Sequence, residues 1–222
     1  MGNALHYRGP STEDYVTVAN YPKPTNSISF SGWVNADTNT VTWQSIVKNW
    51  GSGSIGQFHL GLDNDSQTLS LYMTQADGSV VSVLDSAQLP TNQWVQVGFV
   101  ADAGSNTVSL YRDGAVVGTT SYDGTLLNPP MSSMGFGIKT DDTGTVPDSS
   151  VPGFWQGSFD DFAFWDRAVT STEMAQIHTN GLAGSGVGAA VVPEQNSIAL
   201  FGLSIPALGM LIARRRGHTL RA

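Results

Sequence analysis

Polar and apolar residues alternate along most of the chain up to Trp165, and alternate side chains of a strand point to opposite faces. Ser27–Ala36 sets Ile28, Phe30 and Gly32 on one face, and Thr68–Thr74 sets Leu69, Leu71 and Met73 together. Gln93–Ala101 sets Trp94, Gln96 and Gly98 opposite Val95, Val97 and Phe99. Shorter candidates are Ala4–Tyr7, Tyr15–Val18, Gln44–Trp50, Gln57–Asp63, Val80–Asp85, Thr107–Arg112, Ala115–Thr119 and Met134–Thr140. Asp77-Gly78 and Asp113-Gly114 mark hairpin turns, where positive φ is needed. About a dozen short strands at regular spacing predict an all-β sandwich or barrel.

The stretch Gly157–Val169 reads as a central strand. Strict alternation puts Phe159, Asp161, Ala163 and Trp165 on one face and Asp160, Phe162, Phe164 and Asp166 on the other. Both faces are mostly apolar, so its carboxylates need partners. After Arg167 the period changes. Ser171 or Thr172 is placed to cap a short helix with Met174, Ile177 and His178 on one side.

Beyond Gly181 the pattern changes again. Leu182–Ala190 is a Gly/Ala/Ser linker, followed by Val192-Pro193-Glu194-Gln195. Residues 197–213 then run seventeen positions without a charge and end on Arg214, Arg215 and Arg216. That is the lower limit for a membrane-spanning helix, and the segment has no polar face, which favours a span over a buried amphipathic helix. Arginine on its C-terminal side alone predicts that this end stays in the cytoplasm and that the domain before it lies outside. The organisation expected is therefore a sandwich over residues 4–181, a linker over 182–191 and a tail over 192–222.

Charge narrows the partners. Lys and Arg total 10 against 18 Asp and Glu, and four of the basic residues lie in the last nine positions. Residues 1–190 carry six basic and seventeen acidic side chains, a net of −11. Such a surface repels nucleic acid and suits an exported domain, or one that holds a cation among carboxylates. No cysteine is present, so disulfides and Cys-based zinc sites are excluded.

Four pieces together resemble the concanavalin A-like lectin/glucanase superfamily in its laminin-G-like form. They are Ser29-Phe-Ser-Gly-Trp-Val34, Asn92-Gln-Trp-Val-Gln-Val97, Leu110-Tyr-Arg-Asp-Gly114 and Gly157-Ser-Phe-Asp-Asp-Phe-Ala-Phe-Trp-Asp-Arg-Ala-Val169. The resemblance implies a two-sheet antiparallel jelly-roll sandwich with one short C-terminal helix, and core positions for Trp33 and Trp94. Arg8 stands where the family often has a carboxylate. The tail, with Pro193-Glu194, an apolar helix and the Arg214–Arg216 cluster, is similar to the PEP-CTERM sorting signal of Gram-negative bacteria, with Gln195 replacing the second proline. This second resemblance implies anchoring in the inner membrane, cutting by an exosortase-type enzyme, and release to the cell surface or matrix. It also implies a signal peptide. Met1–Arg8 does not have the form of one, so a late start or a truncated gene is expected.

The glucanases of this superfamily carry Glu-x-Asp-x-x-Glu on a catalytic strand. Here the only glutamates are Glu13, Glu173 and Glu194, and alternation separates Asp160 from Asp161, so a non-catalytic protein is expected. There is no Gly-x-Ser-x-Gly elbow, and His6, His59, His178 and His218 are scattered. His59 and His178 read as ordinary packing or surface residues. Calcium is the metal to consider. The resemblance makes Asp160 an anchor that would face Asp14, with Asp141, Asp142 and Asp148 in the preceding loop as further oxygen donors. The other reading has Asp160 accepting backbone or arginine hydrogen bonds and the loop acids solvated. For a polysaccharide or surface-protein ligand, Trp43, Trp50 and Trp155 sit at strand ends beside polar loops, as glycan platforms or as caps on the core edge.

Overall fold

The computed structural model describes residues 4–53, 56–131 and 133–187. The chain divides into a unit of residues 1–190 and a second of residues 191–222. The expected sorting tail, with Pro193, Glu194, the span 197–213 and Arg214–Arg216, lies outside the described residues. Among the described residues no helix is long and apolar enough to cross a membrane.

The strands are β1 (Leu5–Arg8), β2 (Val16–Val18), β3 (Ile28–Ala36), β4 (Ser45–Trp50), β5 (Gly56–Leu62) and β6 (Thr68–Thr74). They continue as β7 (Val80–Gln88), β8 (Val95–Asp102), β9 (Thr107–Arg112), β10 (Ala115–Ser121), β11 (Met134–Phe136) and β12 (Gln156–Trp165), and one helix, α1 (Ser171–Leu182), follows. They form two six-stranded sheets, ordered β1-β12-β3-β8-β9-β10 and β2-β11-β4-β5-β6-β7. The ladders between these strands are antiparallel, so the expected two-sheet antiparallel sandwich is what the chain builds. Inner-face residues predicted by alternation meet between the sheets: Phe30 and Val34, Val97 and Phe99, Leu69 and Leu71 are all buried in one core. At Asp113-Gly114 both residues take positive φ, +52° and +76°, as the hairpin between β9 and β10 requires.

Strict alternation fails on β12. Asp160 pairs with Trp33 and Ala163 with Ser31, so two residues stand opposite Gly32 alone. This bulge, with Asp161 at φ +51°, resets the period by one position. Phe159 is buried in the core, and Phe162 and Phe164 both pack against it, although Phe159 was expected on the opposite face from the other two. Gly32 makes this possible, because a Cβ there would lie 2.2 Å from Phe162 Cδ1. Strand β11 also ends earlier than expected. Gly137 turns away at φ +72°, and its carbonyl accepts the N–H of Trp155 at 2.9 Å.

Helix α1 is capped by Thr170, one residue before the expected cap. Thr170 Oγ1 accepts the Glu173 N–H at 3.2 Å, and Glu173 Oε2 accepts the Thr170 N–H at 2.7 Å, a complete capping box. Met174 and Ile177 pack with Val100, Tyr111 and Val169 on the outer face of the first sheet, and His178 stacks on Trp33 at 5.4 Å. Trp33 is thus buried beneath the helix, outside the inter-sheet core, and Trp94 is half-buried. The helix occupies one outer face of the sandwich. The outer face of the second sheet carries the candidate site.

Candidate functional site

Strands β4, β5 and β6 send Val47, Phe58, Leu60, Leu69 and Leu71 inward. Period two then sends Lys48, His59 and Tyr72 outward, and cross-strand pairing aligns them: Lys48 opposite His59, and His59 opposite Tyr72. Trp50, two residues after Lys48, shares its face. Trp43 precedes β4 with φ +52°, and the loop between β11 and β12 adds Lys139 and Val151. These seven residues line a cavity of about 320 Å³.

The His59 ring sits at the centre of an aromatic enclosure. Its centroid lies 5.8 Å from Trp43, 6.3 Å from Trp50 and 5.4 Å from Tyr72. His59 is 7 % exposed, and among the described residues its Nε2 has no hydrogen-bond partner. Tyr72 is oriented by its hydroxyl, which donates to Asp63 Oδ2 at 3.3 Å. Lys48 is 2 % exposed, and its Nζ donates to the Trp43 carbonyl at 3.2 Å. Lys139 Nζ lies 3.3 Å from Asp148 Oδ2.

Burial disfavours positive charge at Lys48 and His59. Burial pushes Lys48 well below the usual lysine range, with Lys139 adding repulsion and Asp148 opposing it. Burial also pushes His59 well below its ordinary value, reinforced by Lys48 and Lys139. Asp148 behaves oppositely. Burial alone would raise it, but hydrogen bonds from the Ser52 hydroxyl and from Val151 and Ser150 hold it well below the usual carboxylate range. Asp148 therefore stays ionised and pairs with Lys139, and among the described residues no carboxylate lies within ion-pair distance of Lys48 or His59, Asp148 acting on Lys48 only from further off. Chemically, the pocket offers flat aromatic walls for an apolar ring face and nitrogen donors at its floor.

The concanavalin A-like lectin/glucanases superfamily matches residues 10–175, well over half of the chain. The chain belongs to this superfamily. No curated protein matches it in sequence. Among solved structures it is similar to a Bacteroides ovatus protein provisionally described as carbohydrate binding, with TM-score 0.60 and 15 % identity over 78 % of this chain and 46 % of that one. The chain thus spans less than half of that protein. It is also similar to the CBM40 module of a Ruminococcus gnavus IT-sialidase bound to α2,3-sialyllactose, with TM-score 0.57 and 12 % identity over 79 % of this chain and 96 % of the module. A Limulus polyphemus SAP-like pentraxin gives TM-score 0.55 and 14 % identity over 79 % and 81 %. At these identities the likeness is one of fold, and it agrees with the sandwich seen here.

Within this superfamily fold the predicted site residues separate. Trp43 and Trp50 do meet, in the one cavity. Trp155 does not join them: it is fully buried, 5.0 Å from Phe159, and is a core residue at the entry to β12. The five carboxylates considered for calcium do not converge. Asp14 is taken by Arg8, whose Nε and Nη2 reach it at 2.9 and 3.0 Å. Asp141 accepts from Thr143 and Thr145, Asp142 from the Gly53 N–H, and Asp148 faces Lys139. Asp160 accepts the Asp161 N–H at 3.0 Å through Oδ1. Among the described residues no group of three or more His, Asp or Glu is placed to hold a metal.

The bulge also brings Asp160 and Asp161, expected on opposite faces, to the lining of one cavity with Tyr7, Phe159 and Phe162. Burial and the neighbouring Asp160 raise Asp161 above its ordinary value. Sequence reasoning passed over Lys48, Tyr72 and Lys139 and took His59 for ordinary packing. The available signal was a lysine and a histidine inside β4 and β5, strands whose other residues carry no ionisable side chain. Ionisable groups perturbed by burial and by a specific charged neighbour, and sitting in a cleft, are candidates for a functional site.

Proposed function

We propose that this protein is an exported, non-catalytic carbohydrate-binding protein that holds a glycan against Trp43, Trp50 and Tyr72 on the outer face of its second sheet. The observation that carries the reading is the 320 Å³ cavity in which three aromatic rings surround an unpartnered histidine nitrogen. Aromatic rings accept the apolar face of a pyranose, and fixed polar groups at the floor set its orientation. The Bacteroides ovatus and Ruminococcus gnavus proteins, the second with a bound sialylated sugar, support a glycan as the ligand class. Glycoside hydrolysis needs two carboxylates across the substrate, and the acids beside this cavity are committed, Asp148 to Lys139 and Asp63 to the Tyr72 hydroxyl and the Ser66 N–H. That supports binding over catalysis.

Tryptophan fluorescence titration against a panel of neutral and acidic oligosaccharides tests the reading. Saturable binding that Trp43→Ala weakens by roughly tenfold is expected, the size of one lost aromatic stacking contact. A blank panel points instead to a protein ligand, and release of reducing ends overturns the non-catalytic part. The tail after residue 192 supports export, with an exosortase-type enzyme as processing partner and the inner membrane, then the cell surface or polysaccharide matrix, as location. Fractionation of producing cells should find a shortened form outside the cell. A full-length chain confined to the cytosol removes export from the account.

A further inference from the structure

Two lysines and a histidine around a sugar-sized cavity are more than stacking on a neutral sugar requires. Residues 1–190 hold only six lysines and arginines, yet two of them, Lys48 and Lys139, line this one pocket. Lys139 has its counter-ion in Asp148 at 3.3 Å. Lys48 forms no direct ion pair among the described residues, feels Asp148 only from further off, and its Nζ donates to the Trp43 carbonyl. His59, directly across the ladder from Lys48, presents a buried Nε2 with no partner. Among the described residues the remaining walls, Trp43, Trp50, Tyr72 and Val151, bring no negative charge, and the Tyr72 hydroxyl is turned to Asp63. A buried ammonium beside an unsatisfied imidazole is costly unless something anionic completes it.

We propose that the pocket selects an anionic sugar, with Lys48 and His59 receiving its acidic group between the aromatic walls. This rests on the carbohydrate-binding reading above. The shared chemistry is a fixed negative charge on a pyranose, from a uronate carboxylate or a sulfate ester. Attraction is local: the surrounding domain is acidic, so long-range steering opposes such a ligand and selectivity comes from contact. Binding is also proton-linked. An arriving anion favours the charged forms of Lys48 and His59, which burial and the nearby Lys139 disfavour, with Lys48 adding to the effect on His59, while Lys139 and Asp148 keep their pairing. Affinity therefore rises as pH falls, by up to about tenfold per pH unit for each proton taken up.

Isothermal titration calorimetry of the full chain, between pH 5.5 and 8, tests this with three probes: oligogalacturonate, its methyl ester, and dextran sulfate oligomers. Binding of oligogalacturonate at least tenfold tighter than its ester, with a heat that depends on buffer ionisation, supports a carboxylate ligand. Preference for dextran sulfate supports the same site reading a sulfate ester. Equal or tighter binding of the methyl ester overturns the anionic inference and leaves the carbohydrate reading standing. No binding of any probe, or of the neutral panel, overturns both. Lys48→Met keeps the stem volume without the charge. It should lose the acidic preference and the buffer-dependent heat while melting no lower than the parent, since it removes a buried charge. Unchanged selectivity in Lys48→Met, with the fold intact, also overturns the inference.

Discussion

His59 shows how one side chain holds information that its neighbours in sequence do not. On β5 it occupies an outward position among residues that are all buried, and its environment is set by β4, β6 and a loop some eighty residues away. Its folded value lies well below the ordinary 6.5 that it regains on unfolding. The unfolded chain therefore binds the proton more readily. The stability of the neutral ring is fully present above pH 6.5 and is lost as pH falls below it. Lys48 has the same sign over a higher window, below its ordinary 10.5. The melting temperature should fall between pH 7 and pH 5, and His59→Leu should flatten that fall. A wild-type melting curve indifferent to this range would place His59 in contact with water.

At the scale of elements, β12, paired on both sides between β1 and β3, shapes the core beneath it. Its bulge lets Phe159, Phe162 and Phe164 all serve the core, and Gly32 on β3 is the seat for Phe162. Gly32→Ala forces a Cβ into the Phe162 ring, an overpacking that costs about 1–3 kcal/mol. The gain from a stiffer unfolded chain, about 0.4–1 kcal/mol, is smaller, so net destabilisation is expected. Urea denaturation should show it, with Phe162→Leu restoring part of the loss in the double variant. Additive losses would mean that the two residues do not touch. The existence and type of most strands were legible beforehand, because β3, β6 and β8 alternate cleanly. The bulge was not: an extra residue in a strand leaves the residue types unchanged and appears only in the pairing with the neighbour. Helix α1 was legible through Met174 and Ile177, and its cap was missed by one residue because Thr170, Ser171 and Thr172 are all competent until Glu173 closes the box.

For the molecule as a whole, acid should act in two stages. The first is the histidine step. The second begins near the ordinary carboxylate values, 3.8 for Asp148 and 4.5 for Glu173. Hydrogen bonds from Arg167, against the opposing effect of burial, and the helix cap hold Glu173 down to about 2, and the bonds to Asp148 hold that carboxyl well below its ordinary value despite burial. Depressed carboxylates lend stability above their unfolded values and lose it as pH falls through the folded ones. Circular dichroism from pH 5 to pH 2 should show this second loss, reduced in Asp148→Asn. A single transition complete above pH 5 would contradict it.

The sequence by itself determined the class of fold, the two-face character of its strands, the hairpin turns and the closing helix. It did so because alternation, turn chemistry and capping are local rules read from neighbouring residues. It also separated a tail of distinct composition from the domain. Only the tertiary structure decided which polar residues share a site. Trp43, Lys48, His59, Tyr72 and Lys139 are brought together by strand order and by a returning loop, while Trp155 goes to the core and the five aspartates disperse to partners of their own. Convergence of distant residues depends on pairing register and burial, and neither is written in the spacing of any one segment.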